Sequence, residues 1–170
     1  MEYLNKEKGI FLNRDISKLQ FKNLNYKFAS AIYEHTNLVD VGYNEKSTQF
    51  GSVNVGGEHK KFVDSLFPTN NHLYALKQNP GCHLPEHMDA FFKFRTQHGV
   101  QQEDCMRLIF FMEDWKSGHY LEVNYQPVVG WKAGDCVKIE SGEPHLSANG
   151  GMEPKYTLAI TGLKSELCLD

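Results

Sequence analysis

The stretch Lys155-Tyr156-Thr157-Leu158-Ala159-Ile160-Thr161 alternates small or polar residues with large apolar ones. Successive side chains of a strand point to opposite faces, so Tyr156, Leu158 and Ile160 meet one layer while Lys155, Thr157, Ala159 and Thr161 turn to the other. Upstream, residues 72–78, 105–112, 119–124, 136–140 and 143–148 are further short runs rich in β-formers, separated by Gly, Pro, Asn and Asp. Short strands punctuated this way predict a sandwich or barrel.

The texture changes before Pro68. Leu24, Phe28, Ala31 and Ile32 recur at helical spacing behind a possible N-cap at Asn23, which predicts an amphipathic helix over 24–35. Phe62, Val63, Leu66 and Phe67 mark a second, short helix that Pro68 ends. The expectation is a mainly β (α+β) chain in which N-terminal helices cover one sheet. One domain is expected over 1–170, helical over about 1–70, with its strand core over about 71–163.

Composition narrows the partners. A formal net charge of −3 offers no electrostatic case for nucleic acid, and His59-Lys60-Lys61 reads as a solvated helix face. Cys82, Cys105, Cys136 and Cys168 form no Cys-x-x-Cys pair, so neither a zinc site nor a redox motif is indicated. The N-terminus lacks the basic start and apolar run of a signal peptide, and no apolar run approaches about 18 residues. A cytoplasmic protein with a small-molecule or peptide substrate, and no membrane partner, is expected. Residues 90–104 are long for a β connection. Either they form a lid or substrate wall, or Phe91, Phe92 and Phe94 pack on a sheet edge.

The chemistry gathers at His87-Met88-Asp89, His145 and Lys155. Residues i and i+2 of a strand share a side, so His87 and Asp89 can reach one ion, and a strand-borne His145 supplies a third ligand. Two imidazoles and a carboxylate hold non-heme Fe(II) on one face and leave the other open. Lys155 lies among small residues, where its charge would be costly without an anionic partner. Arg107 interrupts an apolar strand on the face of Ile109 and Phe111. It either contacts a ligand or makes a structural ion pair.

Residues 81–89, then 107–115, 118–123 and 134–155, occurring in that order, resemble the Fe(II)/2-oxoglutarate-dependent oxygenases, with the prolyl 4-hydroxylase-like branch the most similar. The similarity covers roughly residues 72–162. It implies a double-stranded β-helix (jelly roll), with His87, Asp89 and His145 as catalytic iron ligands and Lys155 on the distal carboxylate of 2-oxoglutarate. The reaction implied is hydroxylation of a C–H bond of a peptidyl proline, amino acid or other small substrate, using O2 and releasing succinate and CO2. Arg107 and Tyr74 are weaker candidates for contacts to the co-substrate.

Two other readings stay open. Gly134, Gly142, His145 and Asn149 match the second motif of metal-binding cupins, with Glu140 where proline is usual. The first cupin motif normally has His-x-His followed by glutamate, and His87-x-Asp89 departs from it. A cupin-type enzyme would not need 2-oxoglutarate. The third reading is a non-catalytic jelly-roll binding module with solvated histidines.

Overall fold

The computed structural model describes residues 7, 9–27, 49–51 and 57–169. Its strands are β1 (Leu12–Asn13), β2 (Tyr26–Lys27), β3 (Gln49–Gly51), β4 (Asn71–Gln78), β5 (His83–His87), β6 (Cys105–Phe111), β7 (His119–Val123), β8 (Gln126–Val128), β9 (Asp135–Glu140), β10 (His145–Asn149) and β11 (Lys155–Leu163). The helices are α1 (Gly57–Leu66) and α2 (Phe92–His98). Two antiparallel sheets result, ordered β1-β9-β6-β11-β4-β3-β2 and β5-β10-β7-β8.

From β4 onward the pairing is nested: β4 with β11, β5 with β10, β6 with β9 and β7 with β8. This is one long hairpin wound so that successive strand pairs fall in opposite sheets, the topology of the double-stranded β-helix. Its tip is the two-residue turn Asn124-Tyr125, between paired Val123 and Gln126, with φ of 50° and 61°. Positive φ at both central positions matches the right-handed twist of the flanking strands.

Strand β11 keeps the two faces its alternation predicts, and both are buried. Leu158 and Ile160 join Leu108 and Phe110 of β6 against Val63, Leu66 and Phe67 at the end of α1. On the inner face, Ala159 joins Ile109, Phe111 and Val137 opposite Leu121, Val128 and Trp131 of the second sheet's side. Phe111 and Trp131 stack with ring centroids 3.8 Å apart, which fills much of the gap between the sheets. Fully burying side chains of this size stabilises by about 1.5–3 kcal/mol each. Gly162 allows the closest approach of the α1 end, since a Cβ there would stand 2.2 Å from the Phe67 ring.

The N-terminal expectation needs correction. Tyr26–Lys27, inside the expected 24–35 helix, form β2 and pair with β3, while residues 28–35 lie outside the described residues. Tyr26 packs on Tyr156 of β11 and its hydroxyl donates to the Phe21 carbonyl at 2.7 Å, so contacts distant in sequence override a helical period. Among the described residues, the N-terminal region expected to be helical, up to about residue 70, holds α1 together with β1, β2 and β3. Sheet edges offer open backbone groups, and β1 on β9 and β3 on β4 satisfy them.

Other expectations meet the structure directly. Helix α1 stops at Leu66 before Pro68, and on its surface Lys60 pairs with Asp64 and Lys61 with Glu58. All four cysteines are free thiols, three of them buried. No helix among the described residues is long and apolar enough to cross a membrane. Segment 90–104 forms α2 and a short 3-10 turn, with Phe91 and Phe94 packed on Cys105 and Phe92 exposed.

Candidate metal centre

His87 ends β5, and His145 begins β10 directly opposite it in the pairing register. Their rings lie 4.2 Å apart, centroid to centroid. The strand does not continue to Asp89, which follows two residues beyond the end of β5 and turns back toward the histidines. One ligand atom from each of His87, Asp89 and His145 lies within 4.8 Å of the others, the spacing a single metal ion requires.

Both imidazoles are fixed in the form that coordination needs. Nδ1 of His87 donates to the Pro85 carbonyl at 2.8 Å, and Nδ1 of His145 donates to the Glu143 carbonyl at 3.0 Å. A carbonyl only accepts, so each Nδ1 carries a proton, and in the neutral ring Nε2 is then the atom that holds the lone pair. Burial pushes the His145 imidazole down to about 4, against the attraction of Asp89, so the ring is neutral at pH 7. Asp89 Oδ2 is buried and makes no hydrogen bond, although Arg107 Nη1 stands 2.6 Å away and His145 Nε2 3.6 Å away. A buried carboxylate oxygen whose one charged partner is Arg107, set beside two oriented imidazoles, fits a divalent cation.

Lys155 occupies the same interior from the other end of β11. It is 4 % exposed, and its ammonium donates to Tyr120 O at 2.6 Å, Ser147 Oγ at 2.6 Å and Ala148 O at 3.1 Å. Burial pushes it down to about 7. Ser147 in turn donates to Gln78 Oε1 at 2.7 Å, and Asn149 Nδ2 donates to Gln78 O at 2.9 Å. The sequence reading missed Gln78 and Ser147 as members of this polar network. A signal existed, because Gln78 shares the inward parity of Tyr74 and Leu76, and Ser147 that of His145.

Arg107 is both an ion pair and a wall of the site. Besides Asp89, its Nε donates to Thr161 Oγ1 at 3.4 Å, and its guanidinium lies 5.5 Å from the Phe91 ring centroid. Thr161 is the register partner of both Arg107 on β6 and His72 on β4. Helix α2 packs against this row: Phe94 meets the His72 ring edge-on at 5.2 Å and Gln97 Oε1 lies 2.7 Å from His72 Nε2. Tyr74, opposite Ala159, packs on the apolar inner cluster between the two polar ends.

No protein-family model and no curated protein matches the chain. Solved structures similar to it include cupin and double-stranded β-helix proteins. A predicted oxalate decarboxylase from Thermotoga maritima is 17% identical, over 68% of this chain and 80% of that one, with a TM-score of 0.45. A cupin-2 domain from Rhodospirillum rubrum is 13% identical, over 71% and 66% of the two chains, with a TM-score of 0.46. KdgF from Halomonas is 9% identical, over 70% and 81%, with a TM-score of 0.45. The likeness is one of fold.

Proposed function

We propose that this chain is an oxygenase in which His87, Asp89 and His145 hold Fe(II), and in which 2-oxoglutarate and O2 are consumed to hydroxylate a C–H bond of a small substrate. The balance is R–H, 2-oxoglutarate and O2 giving R–OH, succinate and CO2. The observation that carries the reading is the convergence of three oriented ligand atoms with a buried lysine in one barrel interior. Along β10, Ser147, which touches the Lys155 ammonium, is two residues from His145. That is about 7 Å of strand, a distance suited to a five-carbon diacid held at both ends.

Bound iron would supply the one-electron chemistry that O2 activation needs. The residues of this chain do the rest. The Pro85 and Glu143 carbonyls hold the Nδ1 side of each imidazole, so that Nε2 is the atom aimed at the ion. Asp89 contributes charge to the site as a ligand, held in place by Arg107. Lys155 places a cation where the far carboxylate of the co-substrate would lie, and the surrounding apolar residues Ile109, Leu121 and Val123 exclude water. Peptidyl proline, amino acids and other small molecules are the substrate classes the sequence resemblance suggests.

One observation favours a second reading. The Lys155 ammonium already has three protein acceptors, so a co-substrate carboxylate must displace at least one of them. A cupin-type metal enzyme that does not use 2-oxoglutarate would keep Lys155 as an interior cross-link between the sheets. Succinate release from 2-oxoglutarate with added Fe(II), alongside metal analysis, separates the two. Under the oxygenase reading, His87→Ala abolishes metal binding and succinate, while Lys155→Ala retains metal and raises the 2-oxoglutarate requirement at least tenfold. Stoichiometric metal with no succinate from wild type under any condition would overturn it in favour of the cupin-type reading.

A further inference from the structure

Two cations stand in the barrel interior, at opposite ends of β11's inward row. Lys155 opens the strand with its three ammonium donors occupied by Tyr120, Ser147 and Ala148. Arg107 is level with Thr161, six residues further along β11, and its donors are used sparingly. Nη1 faces Asp89 and Nε makes a long contact to Thr161, and no hydrogen bond from a described residue engages Nη2. The side chain as a whole is 21% exposed, and Nη2 is not among the buried polar atoms that lack a hydrogen bond, so this end of the guanidinium reaches solvent. Phe91 lies against the guanidinium and restrains it, which lowers the cost of ordering a ligand on it.

We infer that Arg107 is the specificity-determining residue of the site and that the substrate carries a free carboxylate bound by its open edge. The inference rests on the metal-centre reading and names its substrate class. A guanidinium already anchored at one corner by a ligand carboxylate presents the remaining planar edge to a second carboxylate, for which a two-point contact is the matching geometry. Because Arg107 touches Asp89, an anion bound there keeps its adjacent carbon beside the metal ligands. An internal residue of a peptide other than Asp or Glu has no such group. A free small acid, or a chain end, does.

Binding tests the inference without requiring turnover. Purified full chain, with and without Zn(II), is titrated with a panel of free amino and hydroxy acids, their primary amides, and short peptides with free or amidated C-termini, followed by ligand-observed NMR. Acids are expected to bind and their amides to lose at least tenfold in affinity. Arg107→Lys keeps a cation beside Asp89 but loses the planar fork, so it should lower acid affinity about tenfold while retaining Zn(II). Arg107→Met should lower it further. Thermal unfolding of each variant confirms that it is folded, and Thr161→Val, which removes only the Nε contact, supplies a milder variant expected to weaken acids a few-fold. Binding confined to peptides with free C-termini also supports the inference and assigns the carboxylate to a chain end. Equal affinity for acids and amides, equal binding by wild type and Arg107→Lys, or no binding by any acid overturns it. Failure of wild type to hold any metal, with acid binding intact in the Zn(II)-free titration, would sink the metal-centre reading and leave Arg107's role standing.

Discussion

Lys155 shows how a single side chain can answer two opposing forces. Burial disfavours its charge and pushes the ammonium down to about 7, whereas three acceptors within 3.1 Å favour the charged form. With a folded value near 7 and an unfolded value near 10.5, the unfolded chain binds more protons between those limits. Stability therefore rises with pH across that window, and the cost of burying the charge is fully present below pH 7. Denaturant unfolding of wild type and Lys155→Met from pH 6 to pH 10 should show wild type gaining on the variant by at most about 1.4 kcal/mol per pH unit. A flat difference would mean that the three acceptors hold the proton throughout. At the same scale, Asp89 was legible as a candidate ligand from its spacing to His87, but its partner was not. Arg107 is 18 residues away along the chain, and only the folding of β6 beneath the end of β5 brings it to 2.6 Å.

Among the elements, β11 is the one whose division into two faces was readable from its alternation. The one position that departs from bulk is Gly162, whose missing Cβ makes room for Phe67. Gly162→Val should therefore force the α1 end away from the sheet and cost on the order of 1–3 kcal/mol. For a chain of this size that is a fall in Tm of roughly 2–12 °C, measured by calorimetry or circular dichroism. An unchanged Tm would show that Phe67 repacks freely. Helix α2 offers a contrasting test, since Phe94 is buried beneath it and touches His72. Phe94→Ala should lose about 3–5 kcal/mol of stability and, if α2 walls the site, raise the KM of any turnover substrate as well. Stability lost with KM unchanged would reduce α2 to packing alone. The 24–35 segment illustrates the opposite case: its apolar spacing matched a helix, yet Tyr26 serves as a strand residue because Phe21 and Tyr156 supply its contacts.

At the scale of the whole molecule, the wound hairpin makes the candidate metal site a clamp. His87 and Asp89 come from β5 and the turn after it, and His145 from β10, whose register is set by its two neighbours in the sheet. A cation joining them binds the folded chain and not the unfolded one, so it should stabilise the fold by about 2.7 kcal/mol at a hundredfold excess over its Kd. Adding Co(II) or Mn(II) should raise Tm by roughly 5–11 °C, reversibly with chelator, and the shift should vanish in His87→Ala. An equal shift in that variant would place the cation elsewhere.

The alternating and turn-punctuated sequence by itself determined the strand-rich core, the shared face of Lys155, Thr157, Ala159 and Thr161, and the His87, Asp89, His145 candidate set, because these follow from the two-residue period of a strand and the donor chemistry of single side chains. Only the tertiary structure decided that Arg107 holds Asp89, that Ser147 and Gln78 join Lys155, and that Tyr26 lies in a strand. Each of those depends on which strands become neighbours, and that choice is made by nested pairing between residues far apart in the chain, where local periodicity carries no information.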